Sequence, residues 1–298
     1  AQIAANERFA LFYPEKRSFF LEGVDLFSTP FQAVYTRTVN SPDAGLHATG
    51  RAGNTSYTAL LARDRGQGLV ILPGPEGSEF AFQDFRSDVG VVRVRRDIGQ
   101  SFVRMLATSR EIEGGGHNRL AGQNFQWRHK PTDTFTGQIL WSDSRTPVRA
   151  NLASEWDGRA LSDRAMVVNW SHNTPHFDWF MQGQDLGREF RAEDGIIPQV
   201  GCREGYLQTG YTFRPKQAFL NRIRVFNEDY VDMLPGDDVL TRHLQIGAFR
   251  PGDHRELRAA GSLRWLDVHD GPASSGRLFS AQAERLRTTY TFNARSFL

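Results

Sequence analysis

TFTGQILWS, residues 134–142, decides how this chain is read. Phe135, Gly137, Ile139 and Trp141 alternate with Thr134, Thr136, Gln138 and Leu140. A period of two places alternate side chains on opposite faces of a strand. The same pattern recurs along the chain. Leu207, Tyr211 and Phe213 oppose Glu204, Gln208 and Gly210; Phe219, Ile223 and Val225 oppose Arg222 and Arg224. Leu244, Ile246 and Ala248 oppose His243, Gln245 and Gly247; Leu286, Tyr290 and Phe292 oppose Arg285, Arg287 and Asn293.

Turn signals separate these runs, among them Ala52-Gly53-Asn54, Asp97-Ile98-Gly99, Asp157-Gly158 and Pro251-Gly252-Asp253. About fourteen strands are expected, near 45–52, 55–64, 87–95, 100–109, 119–128, 133–142, 148–156, 163–172, 175–185, 203–213, 218–228, 240–249, 259–268 and 279–293. Helical periodicity is confined to a short stretch around Pro14 to Phe27. Most of the strands are about nine to eleven residues long, enough to cross a bilayer at a tilt, whereas strands of soluble sheets average about 5–6. The expected fold class is therefore all-β: an antiparallel transmembrane β-barrel. Connections near 65–86, 186–201 and 229–239 are long and those near 53, 97 and 215 short, an asymmetry such barrels show.

Composition agrees with this and excludes other classes. The 298 residues carry 36 Lys+Arg against 34 Asp+Glu, so a nucleic-acid partner, which calls for a basic excess, is not expected. Nowhere does the sequence hold the roughly 18 consecutive apolar residues of a membrane helix. The single Cys202 forms no internal disulfide framework. Both ends read as cut edges, so the chain is expected to be a fragment lacking its last strands.

Arginines recur on the polar face: Arg104, Arg149, Arg222, Arg224, Arg242, Arg264 and Arg287, with Glu155, Asp178, Glu204 and Glu228 as opposite charges. An arginine facing lipid at mid-bilayer costs about 2–4 kcal/mol, so these residues are expected to face the lumen. Two roles stay open for them: a polar lumen that selects solutes, or an ion-paired filling. Trp141, Trp156, Trp170, Trp179, Tyr211, Tyr290 and Phe292 lie near strand ends and suit an interfacial aromatic belt.

Catalytic constellations are weak. Glu155 and Asp157 would share a strand face as a glycosidase pair does, but two acids so spaced arise readily by chance. His172, His176 and Asp178 flank a turn at Pro175 and offer metal-ligand chemistry without helical spacing. Glu113-Gly114-Gly115-Gly116-His117 lacks the Lys-Ser/Thr of a phosphate loop. No catalytic, cofactor or metal residue is assigned.

The opening block remains. Asn6 to Gly23 reads NERFALFYPEKRSFFLEG and is followed by Asp25-Leu26-Phe27 and Tyr35-Thr36-Arg37. With Phe190 to Gly195, Pro198 to Gly201, Gly210 to Pro215 and Thr289 to Asn293, it resembles a bacterial domain of unknown function. That domain follows a family 9 carbohydrate-binding-module-like domain in large secreted proteins. Ser18 stands where the family block has Pro. The resemblance implies a β-barrel in the bacterial outer membrane, lipid as its surroundings, and polysaccharide or oligosaccharide reached through an upstream domain. It supplies no catalytic residues. Residues 1–43 are expected to form a plug or linker and 44–298 the barrel. The dense aromatics and alternating charges of Pro14, Glu15, Lys16, Arg17, Phe19, Phe20, Leu21 and Glu22 suit a segment docked inside or under the barrel. The expected function is transport or surface anchoring. The alternative is a secreted, β-rich carbohydrate-active hydrolase with two close carboxylates in a cleft.

Overall fold

The computed structural model describes residues 15–21, 24–75, 77–214, 223–234, 239–249, 255–269 and 278–292. Two one-turn helices, α1 (Ser18–Leu21) and α2 (Val24–Phe27), and a 3-10 turn at Thr36–Thr38 precede the strands. The strands are β1 (Pro42–Ala52), β2 (Thr55–Asp64), β3 (Leu69–Pro73), β4 (Ser78–Phe82), β5 (Ser87–Ile98), β6 (Ser101–Ile112), β7 (His117–Lys130) and β8 (Asp133–Arg145). They continue as β9 (Ala160–Asn173), β10 (Phe177–Leu186), β11 (Cys202–Phe213), β12 (Ile223–Met233), β13 (Val239–Phe249), β14 (Arg255–His269) and β15 (Leu278–Phe292).

The protein is all-β and antiparallel. Thirteen strands form one sheet in chain order, from β1 through β2 and β5 to β15, while β3 and β4 pair as a separate hairpin. Among the described residues β1 and β15 are the edges, and no pairing joins them. Consecutive pairing follows from the turns. Gly53 and Gly99 open the two-residue links 53–54 and 99–100 with φ of 57° and 61°, the glycine-first pattern of tight hairpins. In-register ladders run from Thr55↔Arg96 to Asp64↔Ser87 and from Ser87↔Ile112 to Ile98↔Ser101. Strands of the large sheet run from 10 residues in β2 to 15 in β15.

Contacts group the chain into two compact units. The first comprises Ala1–Trp127, Thr136–Val167 and Asp185–Cys202. Its core joins inward residues of the sheet, such as Leu60, Val91, Leu106 and Leu140, to Phe20, Phe27, Phe31, Val34 and Val39 before β1 and to Phe190, Ile197 and Val200 between β10 and β11. The buried face is thus covered by two non-strand segments, 15–41 and 187–201. A smaller cluster packs Trp156 with Ala81, Phe85 and Ile112. The second unit comprises Arg128–Phe135, Val168–Gln184 and Arg203–Leu298. Its ladders include Arg203↔Met233 to Phe213↔Ile223 and Arg255↔Phe292 to His269↔Leu278.

Several expectations need correction. Residues 148–156 are no strand of the sheet; they lie in the 146–159 connection, which holds only a bridge between Val148 and Asp157. Arg149 therefore faces no lumen from a strand, and its Nε lies 3.7 Å from Asp84 in another connection. Trp156 is 2% exposed and belongs to the smaller core rather than to a belt. The helix around 14–27 is two single turns. The long 65–86 link contains the unforeseen β3–β4 hairpin. Pro14, Glu22 and Arg222 lie outside the described residues, as do the side chains of Arg242, Arg264, Arg287, Tyr290 and Phe292, whose backbones sit on β13, β14 and β15.

Candidate functional site

The two faces of the large sheet differ in chemistry. In the first unit the outward positions are Tyr57 and Leu61 on β2, Val92 and Val94 on β5, Val103 and Met105 on β6, Phe125 and Trp127 on β7 and Trp141 on β8, all exposed. Met105 is 61% exposed, far from what burial-driven folding in water leaves for a large apolar side chain. The same face turns ionic toward the ends of the strands. Arg63 pairs with Asp88 at 2.8 Å, Arg119 with Glu111 at 2.8 Å and His117 with Asp143 at 3.1 Å. The apolar residues form a band with a charged border.

The inward face of this unit mixes the core leucines and valines with buried polar groups. Arg93, Arg110, Asn118, Asn124, Gln138, Ser142 and Ser144 are all buried. Arg110 Nε donates to Asp194 Oδ1 at 2.9 Å, and Arg110 Nη1 lies 3.9 Å from Asp64 Oδ2. Asn118 Nδ2 donates to Ser144 Oγ and to the Arg191 carbonyl, and its Oδ1 accepts from the Glu193 N–H. Gln138 Oε1 accepts from the Phe31 N–H at 2.8 Å. Arg104 Nη1 donates to the Ser28 carbonyl at 2.9 Å. Asn118, Gln138 and Arg104 thus each find a partner in the backbones of the covering segments.

The expected N-terminal motif takes part. Glu15 accepts from Arg17 and from Thr36, and Arg17 also donates to the Thr36 and Val39 carbonyls. Burial would raise the Glu15 carboxyl, but the hydrogen bonds from Arg17 outweigh it and hold it at about 2. The Arg17 guanidinium also lies 4.2 Å from the Phe20 ring centre. Phe20 is buried, whereas Phe19 and Leu21 are exposed and Lys16 stays at the surface. Between the two covering segments, Tyr35, Arg37, Arg110, Arg191 and Glu193 line a cavity of about 70 Å³. Burial pushes the Glu193 carboxyl up to about 7, and raises that of Asp194 against the pull of Arg110.

In the second unit Val168, Phe177, Met181, Tyr211, Phe213 and Val225 are exposed in the same alternating way. Aromatic rings gather near the β9–β10 turn. Phe135 stacks on Trp170, Trp179 on His172, and Trp170 meets Trp179 edge-on at 5.0 Å. Asp133 accepts from Trp170 Nε1 and lies 2.8 Å from His172 Nδ1. Behind them Arg224 pairs with Asp178, and Gln208 donates to Glu228 at 2.7 Å. An open groove of about 650 Å³ runs past His172, Asp178, Trp179, Gln208 and Arg224.

The weighed catalytic groups are engaged elsewhere. Glu155 is held by Arg191 and Asp157 by Arg159, so they do not act as a pair. His172, His176 and Asp178 go to three partners: Asp133, the Thr212 carbonyl and Arg224. Cys202 is buried. Sequence reading expected Arg104 and Arg224 to face a lumen and did not single out Arg93 and Arg110. Their signal was present: both lie on the buried parity of their strands, Arg93 with Arg95 on β5 and Arg110 with Arg104 on β6.

No family model matches the sequence, and no curated protein matches it. Among solved structures the chain is similar to the crystal structure of the Pseudomonas putida toluene transporter TodX. That likeness has 8% identity, covers 75% of this chain and 77% of that chain, and has a TM-score of 0.27. So weak a likeness decides nothing. The resemblance to a domain downstream of carbohydrate-binding modules rests on its quoted residues alone.

Proposed function

We propose that this chain is the strand-bearing part of an outer-membrane β-barrel. Its apolar face meets lipid, its polar face is turned inward, and its role is passage of solutes or anchoring at the cell surface. One observation carries the reading: the exposed face of the sheet is apolar and ends in a row of ion pairs, while the buried face holds arginines, asparagines and glutamine among its core leucines and valines. A soluble sheet leaves its exposed face polar. The dimensions fit. From Ser101 to Glu111 on β6, at about 3.3 Å per residue, the strand covers ~33 Å. At the roughly 40° tilt of membrane barrels this spans about 25 Å, the height of their apolar band.

Residues 15–41 and 187–201 act as a plug in this reading, since they bury the inward face of the first unit and accept from or donate to several of its polar groups. The described residues hold no helix long and apolar enough to cross a membrane, which leaves strand crossing unaffected. No feature of the described residues carries the carbohydrate link that the family resemblance implies. The hydrolase alternative has lost its carboxylate pair to Arg191 and Arg159.

The test is extraction. The expressed chain should partition with membranes, require detergent for release, and migrate differently on a gel with and without boiling. Release by salt or alkali alone would reject the reading.

A further inference from the structure

We propose that Arg93, Arg95 and Arg104 form a binding site for a small oxyanion group, a carboxylate or a phosphate, on the inward face of β5 and β6. The proposal rests on the membrane reading above and deepens it by naming the class of solute that the interior holds.

Arg93 and Arg95 are two residues apart and share a face, and Arg95 lies directly across the β5–β6 ladder from Arg104. The guanidinium carbons of Arg95 and Arg104 each lie 4.3 Å from the centre of the Phe102 ring, which holds both in place. Like charges facing each other across a ladder are unfavourable unless something offsets them. The chain supplies only part of this. Asp97 accepts from Arg95 Nε at 2.6 Å, the Ser28 carbonyl accepts from Arg104 Nη1 at 2.9 Å, and Asn124 Oδ1 accepts from Arg93 Nη2. Two of these three acceptors are neutral, and the carboxylates that act on Arg104 are Asp25 and Asp97.

What remains is specific. Arg93 is 1% exposed, yet its Nε and Nη1 have no acceptor, and the buried Nε of Arg104 has none either. Buried donors are nearly always satisfied, and a buried charge needs a counter-charge as well as hydrogen bonds. Water would supply acceptors without charge. An oxyanion supplies both, and its paired oxygens match the planar fork of a guanidinium.

The test uses the detergent-solubilised full chain. Its thermal unfolding is followed while sodium phosphate, or in a parallel arm sodium acetate, replaces chloride at low millimolar concentration and constant ionic strength and pH. The expected result is a saturating rise of a few degrees in at least one arm. The responding arm tells phosphate from carboxylate. The rise should persist in Arg63→Gln, whose guanidinium is on the exposed face, and disappear in Arg93→Gln. If Arg93→Gln does not fold, Arg95→Gln, at a partly exposed position, carries the same expectation. No saturating rise in either arm, or an equal rise in the variant, overturns the site. Such a result in a protein that still needs detergent leaves the membrane reading standing.

Discussion

Glu193 shows how one side chain ties the interior together. It lines the small cavity, its N–H is held by Asn118, and Arg110, Asp194, Glu155 and Arg191 act on its carboxyl. Burial raises that carboxyl from 4.5 to about 7. Between those values the native chain keeps a proton that the unfolded chain has released, so stability falls as pH rises through the window. Asp194, also raised by burial, adds in the same direction. Glu15 acts oppositely: with its folded value at about 2, its contribution is present above 4.5 and is lost as pH falls toward 2. Glu193→Gln should therefore flatten the decline between about 4.5 and 7 and leave the acid limb unchanged, as read from thermal midpoints across that range. An unaltered decline would mean that another group titrates. Little of this was legible from the amino acids. Residues 187–201 carry no periodicity that announces a segment folded against a sheet, and the Arg110–Asp194 contact joins positions 84 residues apart.

At the scale of elements the strands were legible because alternation is local. Every strand of the large sheet has a counterpart among the expected runs, with 218–228 displaced to Ile223–Met233. Residues 148–156 misled because Leu152, Ala153 and Trp156 are apolar, yet they pack under the β3–β4 hairpin cluster rather than in a ladder. The faces of the strands make a sharper claim. Met105 sits midway along β6, opposite Val94 and Gln123, and points outward. In water, Met105→Arg at an exposed position is nearly neutral, within about 0.5 kcal/mol. In a bilayer it costs about 2–4 kcal/mol. Unfolding midpoints of the variant in lipid vesicles should show the larger loss, and the smaller value would argue against lipid contact. The covering segment makes a claim of its own. Phe31 and Ser28 satisfy Gln138 and Arg104 on the sheet, so deleting residues 1–43 should open the interior and raise single-channel conductance. Conductance equal to that of the intact chain would reject the plug.

For the molecule as a whole, under the proposed membrane reading the distribution of connections sets a direction, and it can be argued within the first unit alone. One end of its strands carries the two-residue links 53–54 and 99–100, drawn together by the hydrogen bond from the Asp97 N–H to the Asn54 carbonyl. The other end carries the links 65–86, with its own hairpin, and 146–159, together with the short 113–116 turn. Outer-membrane barrels keep short turns on the periplasmic side and long loops outside. The end with Gly53 should therefore face the periplasm and the end with Gly115 the exterior. Both ends are accessible: Asn54 in one link and Glu113 in the 113–116 turn are exposed. The native Cys202 is buried, so it adds little background to thiol labelling. Asn54→Cys and Glu113→Cys, treated in intact cells with a maleimide that cannot cross the outer membrane, should differ: Glu113→Cys labels at once, and Asn54→Cys only after the cells are opened. The reverse pattern inverts the orientation, and prompt labelling of both in intact cells contradicts a membrane crossing between them.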